Sequence, residues 1–204
     1  MQKLVLSAWT VTGPVRSRLP GPGALFVRSG ACRIGTSRLA VGEAGYLPAG
    51  LTLDCPELGT IWLWLLTRSS PALTDRFHCE VEHSIDVGEG ERLIRFDRVD
   101  FPPGGVTAKH THAGPGLRRL LAGRLDAEIG EERFTLRPGE CWLERGPDPV
   151  IGRSSHGDPA SFLRLVVLPP DYRGRSSFQP WDAEEARKPN PVSYRLFFEE
   201  LVSP

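Results

Sequence analysis

Two stretches of this chain repeat one another. GPGALFVRSGACRIG, starting at Gly21 and followed by RLAVGEAGYLPAG, is matched by GPGLRRLLAGRLDAEIG, starting at Gly114 and followed by RFTLRPGECWLERG. The interval from the second GPG glycine to the next turn glycine is the same in both, Gly23 to Gly30 and Gly116 to Gly123, and each half ends in a dense apolar strand, TIWLWLL at 60–66 and FLRLVVL at 162–168. Self-similarity of this kind signals two copies of one supersecondary unit. The expected organisation is an N-terminal unit over 1–70, a connection over 71–90, a C-terminal unit over 91–170 and an extension over 171–204.

Both units read as β-structure. RLDAEIG alternates strictly, with Leu125, Ala127 and Ile129 on one face and Arg124, Asp126 and Glu128 on the other. Further strands are expected at 93–101, 133–139, 162–168 and 194–202. In LIRFDRVDF the apolar positions move from even (Ile94, Phe96) to odd (Val99, Phe101), which suggests a bulge near Asp97. Frequent Gly (22) and Pro (19), spread along the chain, suit many short strands joined by turns. One short helix is expected at 182–188, where Asp182 caps, Glu185 completes a capping box and Pro189 stops the run.

Composition excludes some partners. With 25 basic and 25 acidic residues the chain carries no net charge, so it has no electrostatic footprint for nucleic acid or an anionic membrane. A small-molecule ligand is the expected partner. The longest apolar runs are too short to cross a bilayer and the start lacks an apolar leader, so a cytoplasmic protein is expected. Cys32, Cys55, Cys79 and Cys141 form no CxxC pair and read as buried or half-buried free thiols rather than a zinc knuckle or disulfide scaffold.

GGVTAKHTHAGPG places two of the five histidines, His110 and His112, at i and i+2, on one side of a strand. With the surrounding glycines these residues resemble the cupin superfamily. Gly104, His110, His112 and Gly123 fall at the spacing of its first motif, with Gly116 at the glutamate position. Gly42, Pro48 and Gly50 fall on the second motif, with Leu53 at its histidine position; in the second half Gly139 and Gly146 keep the frame and Pro149 or Val150 takes that histidine's place. The resemblance implies an all-β bicupin: two double-stranded β-helix (jelly-roll) barrels, a degenerate N-terminal one and a C-terminal one with the HxH pair, followed by a short C-terminal helix and strand. Aligning the halves puts Ser17 and Leu19 where His110 and His112 stand.

The resemblance also implies a divalent transition metal (Fe, Mn, Ni, Cu or Zn) on His110 and His112, or none, with the histidines then serving as acid and base. Glu144, on the face of Trp142, could supply the missing carboxylate, though at a strand end it reads equally as a surface residue. Asp148, beside the lost histidine position, reads equally well as turn chemistry; His156 reads as an exposed loop histidine, and His78 and His83 as structural or exposed residues. Arg118, in phase with the lost glutamate, would face the barrel interior and orient an anionic substrate; by alternation either Arg118 or Arg119 must lie outside. The expectation is a metal-dependent enzyme (oxygenase, isomerase, lyase or cyclase) with Arg118 and Glu144 in its chemistry, against a non-catalytic ligand-binding or structural bicupin. A homodimer is expected, because small barrels have edge strands that need cover.

Overall fold

A computed structural model describes residues 1–203 and divides into two compact units, Met1–Glu91 with the last residues from Val202, and Arg92–Leu201. The first contains β1 (Gln2–Thr12), β2 (Val15–Arg18), β3 (Gly23–Ser29), β4 (Cys32–Ile34), β5 (Ser37–Leu39), β6 (Ala44–Leu47), β7 (Thr52–Cys55), β8 (Thr60–Thr67) and β9 (Phe77–Val87). They form a five-stranded sheet, β6-β3-β8-β1-β9, and a four-stranded sheet, β2-β7-β4-β5. Leu25, Val27, Leu63 and Leu65 from the first sheet meet Cys32, Leu53 and Cys55 from the second in one buried core, the two-layer arrangement that lets each sheet hide its apolar face.

The second unit contains β10 (Arg92–Phe101), β11 (His110–His112), β12 (Gly116–Ala122), β13 (Leu125–Ile129), β14 (Glu132–Leu136), β15 (Cys141–Glu144), β16 (Val150–Ser154), β17 (Ala160–Leu168), β18 (Phe178–Pro180) and β19 (Ser193–Val202). Its sheets run β15-β12-β17-β10-β19 and β14-β13-β16-β11-β18. Val99, Phe101, Leu120 and Phe162 of one sheet pack on Leu125, Ala127 and Val150 of the other.

The sequence repeat is a structural repeat. β3 lies between β6 and β8 as β12 lies between β15 and β17. Gly23 and Gly116 open the equivalent strands, Gly30 and Gly123 turn them with φ of 75° and 76°, and the pairing slips at the same place, Val27/Ser29 on β8 and Leu120/Ala122 on β17. Positive φ at these turns is why both are glycine.

Three local expectations are corrected. Residues 71–90 are not merely a connection: Phe77–Val87 is β9, paired antiparallel along β1. No bulge interrupts β10 against β17, where the register is continuous from Leu93↔Leu168 to Phe101↔Ala160. The apolar parity changes because both faces are covered: Val99 and Phe101 face the barrel core while Phe96, also buried, packs on Phe197 and Phe198 of β19. The helix at 182–188 is reduced to a single 3-10 turn, Glu185–Arg187. The turn's N-cap position is Glu184, not Asp182; Asp182 still accepts from the backbone N–H of Glu184 and Glu185, and the Glu185 carboxylate goes to the Lys109 N–H and Lys188 Nζ instead of closing a box. The expected C-terminal strand is present as β19, hydrogen-bonded to the edge at β10.

Candidate functional site in the C-terminal barrel

β11 holds only three residues, between β16 and β18, and its alternation turns His110 and His112 to the same side while Thr111 is half-buried. Their rings meet edge to face at 4.9 Å between centroids. His110 stacks on Phe178 at 4.2 Å and 19°, and Nδ1 lies 2.8 Å from the Ala108 carbonyl. That carbonyl can only accept, so Nδ1 carries the proton and Nε2 the lone pair.

The opposite sheet contributes a single cross-strand row. Trp142 of β15 lies opposite Arg118 of β12, Arg118 opposite Arg164 of β17, and Arg164 opposite Asp97 of β10. Like charges side by side on a sheet repel, and each guanidinium here has its own carboxylate. Arg164 makes a two-pronged contact with Asp97, Nε to Oδ1 at 2.7 Å and Nη2 to Oδ2 at 3.0 Å. Arg118 Nη2 lies 2.5 Å from Glu144 Oε2, which also sits 3.2 Å from His112 Nε2, while Trp142 Nε1 donates to Glu144 Oε1 at 3.0 Å. All of these groups are buried; Arg118 has no exposed surface at all.

Burial sets the charge states. It pushes His112 down to about 3 and lowers His110 too, so both imidazoles are neutral. Burial alone would raise Glu144, but the Arg118 guanidinium, with the His112 imidazole beside it, holds the carboxyl well below its usual range. His112 Nε2 therefore carries the proton towards the Glu144 carboxylate at 3.2 Å, without an aligned hydrogen bond, and Nδ1 faces Ser177 Oγ at 3.5 Å. Arg118, although pushed down to about 10 by burial, stays charged at neutral pH. Two guanidiniums and two carboxylates then cancel within the cluster.

The cluster lines a cavity of about 30 Å³ together with apolar residues including Phe101, Trp142 and Phe162. That volume holds about two water molecules. A second, more open cavity of about 280 Å³, lined in part by Ser177, Phe178 and Glu199, shares Arg164 and Tyr194 with it. Arg118 leaves Nε and Nη2 without an aligned hydrogen bond, as does Glu144 Oε2. Unsatisfied donors on a fully buried guanidinium are costly unless something else meets them.

Of the residues singled out in the sequence, His110, His112, Arg118 and Glu144 line this one cavity. Glu144 is not a surface residue, being only 4% exposed. Asp148 is half-buried in the loop after β15, His156 is exposed in the loop after β16 beside Gly104, and His78 is exposed on β9; none lines the cavity. Alternation holds between the two arginines: Arg118 lines the cavity and Arg119 lies on the other face of β12, where it is nevertheless buried, 4% exposed, and donates from Nε to the Gly139 carbonyl at 2.9 Å. Asp97 and Arg164 were missed, although a charge inside an otherwise apolar strand was their visible signal. Ser177, Phe178 and Tyr194 had none, because their approach to the histidines is tertiary.

The donor set does not suit a resident divalent ion. No group of three His, Cys, Asp or Glu side chains able to hold one occurs among the described residues. Glu144 and His112 Nε2 are engaged with each other and with Arg118, and a cation in the cavity would face two guanidiniums. Gly116, at the glutamate position of the first motif, leaves room for Arg118: a Cβ there would lie 3.0 Å from Nη1, which instead donates to the Gly116 carbonyl.

No family profile matches the chain, and no curated protein sequence is similar to it. Solved structures do resemble it. Oxalate decarboxylase from Lactobacillus farciminis, in a formate complex, superposes with a TM-score of 0.61 at 11% identity, over 93% of this chain and 82% of that one. AerE from Microcystis aeruginosa gives 0.54 at 14% identity over 82% and 88%, and hazelnut (Corylus avellana) vicilin 0.51 at 11% over 78% and 71%. Likeness at such low identity shows the fold alone, a pair of jelly-roll β-barrels of the kind these structures share.

Proposed function

We propose that the C-terminal barrel is a metal-independent small-molecule pocket in which Arg118 recognises a polar group of the ligand and His110 exchanges a proton with it. One observation supports this above the rest. By the repeat and the strand registers, His112, Arg118, Glu144, Arg164 and Asp97 correspond to Leu19, Leu25, Leu47, Leu63 and Trp9, and all five of the latter lie in the apolar core of the N-terminal unit. An apolar set therefore completes this barrel. Burying ions in its place costs several kcal/mol per ion before pairing offsets it, so charge kept here serves a ligand.

The ligand follows from the charges. The cluster is already neutral and the cavity holds only a few heavy atoms, which favours a very small molecule with one carbonyl or carboxyl group, the acid being taken up together with its proton. His110 Nε2 is the free lone pair suited to receive that proton, and the Arg118 donors that lack aligned partners suit the oxygen. Glu144 and His112 hold Arg118 in place.

The triple variant His112→Leu, Arg118→Leu, Glu144→Leu copies the N-terminal residues. It is expected to fold with stability equal to or about 1–4 kcal/mol above wild type, and to lose the thermal shift that wild type shows with small carboxylic acids or carbonyl compounds. Unfolding of the variant would make the cluster structural, and retained binding would place the ligand elsewhere. Elemental analysis of chelator-free protein is expected to find no stoichiometric metal. A metal lost on His110→Ala would overturn the metal-independent reading.

A further inference from the structure

We propose that Cys32 and Cys55, in the N-terminal barrel, form a cross-strand disulfide under oxidation by peroxide. Both are fully buried free thiols with their Sγ atoms 2.7 Å apart. The sheet sets this contact. β4 pairs with β7 through Arg33↔Asp54 and Ile34↔Leu53, and the next step of that antiparallel register brings Cys32 opposite Cys55. Directly opposed residues on antiparallel strands have Cα atoms about 4.5–5.5 Å apart, inside the window of about 4.4–6.8 Å that a disulfide spans. The bond therefore needs a side-chain rotation rather than a backbone movement.

The position also allows access. Cys32 is the first residue of β4 and Cys55 the last of β7, each next to a turn, and Pro56, Glu57 and Leu58 after β7 are exposed. β4 and β5 form a hairpin of three-residue strands at the edge of the four-stranded sheet, and β5 is mostly exposed. Short edge elements open locally at low cost. Closed, the pair is unreactive: the Cys32 hydrogen bond, then burial, pushes the Cys55 thiol up, so it is held as thiol.

The chemistry needs one equivalent of peroxide. One sulfur attacks hydrogen peroxide and becomes a sulfenic acid, releasing water; the second sulfur displaces the sulfenic hydroxyl, which leaves with that thiol's proton as a second water. Two thiols are oxidised, the peroxide is reduced, and one S–S bond replaces two S–H bonds.

The test uses the full chain with Cys79→Ser and Cys141→Ser, which leaves only the buried pair. After treatment with hydrogen peroxide and unfolding, the two titratable thiols are expected to fall to none, the mass to drop by two hydrogens, and a reducible peptide joining Cys32 to Cys55 to appear. The midpoint of thermal unfolding should rise, because the cross-link restricts the unfolded chain. Cys32→Ala in the same background is expected to remove the cross-linked peptide. If it does not fold, the parent protein still decides the matter by peptide mapping. Thiols that remain free, or gain oxygen without cross-linking while the exposed Cys79 of wild type is fully oxidised, would overturn the proposal.

Discussion

Leu25 and Arg118 occupy equivalent points of the two barrels, and the exchange of one for the other converts a filled core into a charged cavity. Its measurable sign is a dependence on acid. His110 and His112 are neutral in the fold with values below the ordinary 6.5, and burial is the leading cause for both. The unfolded chain binds protons that the folded one refuses, so stability falls as pH drops below about 6.5 and keeps falling towards the folded value, about 3 for His112. Glu144, also depressed, adds a loss of the same sign below its ordinary 4.5. Between about pH 7.5 and 5.5, His112 alone should cost the C-terminal unit about 1.4 kcal/mol, with His110 adding to it. Hydrogen exchange at β12 and β17 measures this, and His112→Leu should reduce the slope. An unchanged slope would mean that His112 is not buried neutral.

At the scale of elements, the extension after β17 decides how closed the site is. Arg95 of β10 gathers it, with Nε to Glu199 Oε1 at 2.6 Å and Nη2 to the Tyr172 and Arg175 carbonyls at 2.8 and 2.6 Å. This carries β18 across the histidines, where Phe178 covers His110 and Ser177 meets His112. Phe178→Ala should admit water to the imidazole, and because burial is the main cause of the His110 depression, its titration should move up towards 6.5. NMR titration of His110 reads this directly. No movement would mean that other elements close the site.

The two units have separate cores, and each presents an edge strand, β9 in the first and β19 in the second. β19 exposes Tyr194 (47%) and Leu196 (55%) along its length. An edge of that kind invites pairing with a second copy, so light scattering is expected to give twice the chain mass of 22.5 kDa; a single 22.5 kDa species would refute the dimer. The amino-acid sequence by itself determined the two-unit β architecture, because matched glycines fix matched turns and alternation fixes which side of a strand is apolar. It also singled out His110 and His112, because two histidines at i and i+2 are a local fact, Arg118, because it stands in phase with the glutamate position of the motif the chain resembles, and Glu144, because it shares the face of Trp142. Where local pattern and burial part company, only the tertiary structure decided: Arg119 is buried on the outer face of β12, where a carbonyl of a neighbouring loop receives it, and residues Phe77–Val87 are strand because β1 pairs with them. The pairing of Glu144 with Arg118, the seating of Phe178 on His110 and the contact of Cys32 with Cys55 join residues from 23 to 68 positions apart. Such contacts depend on strand order and register, which no stretch of sequence short enough to show periodicity contains.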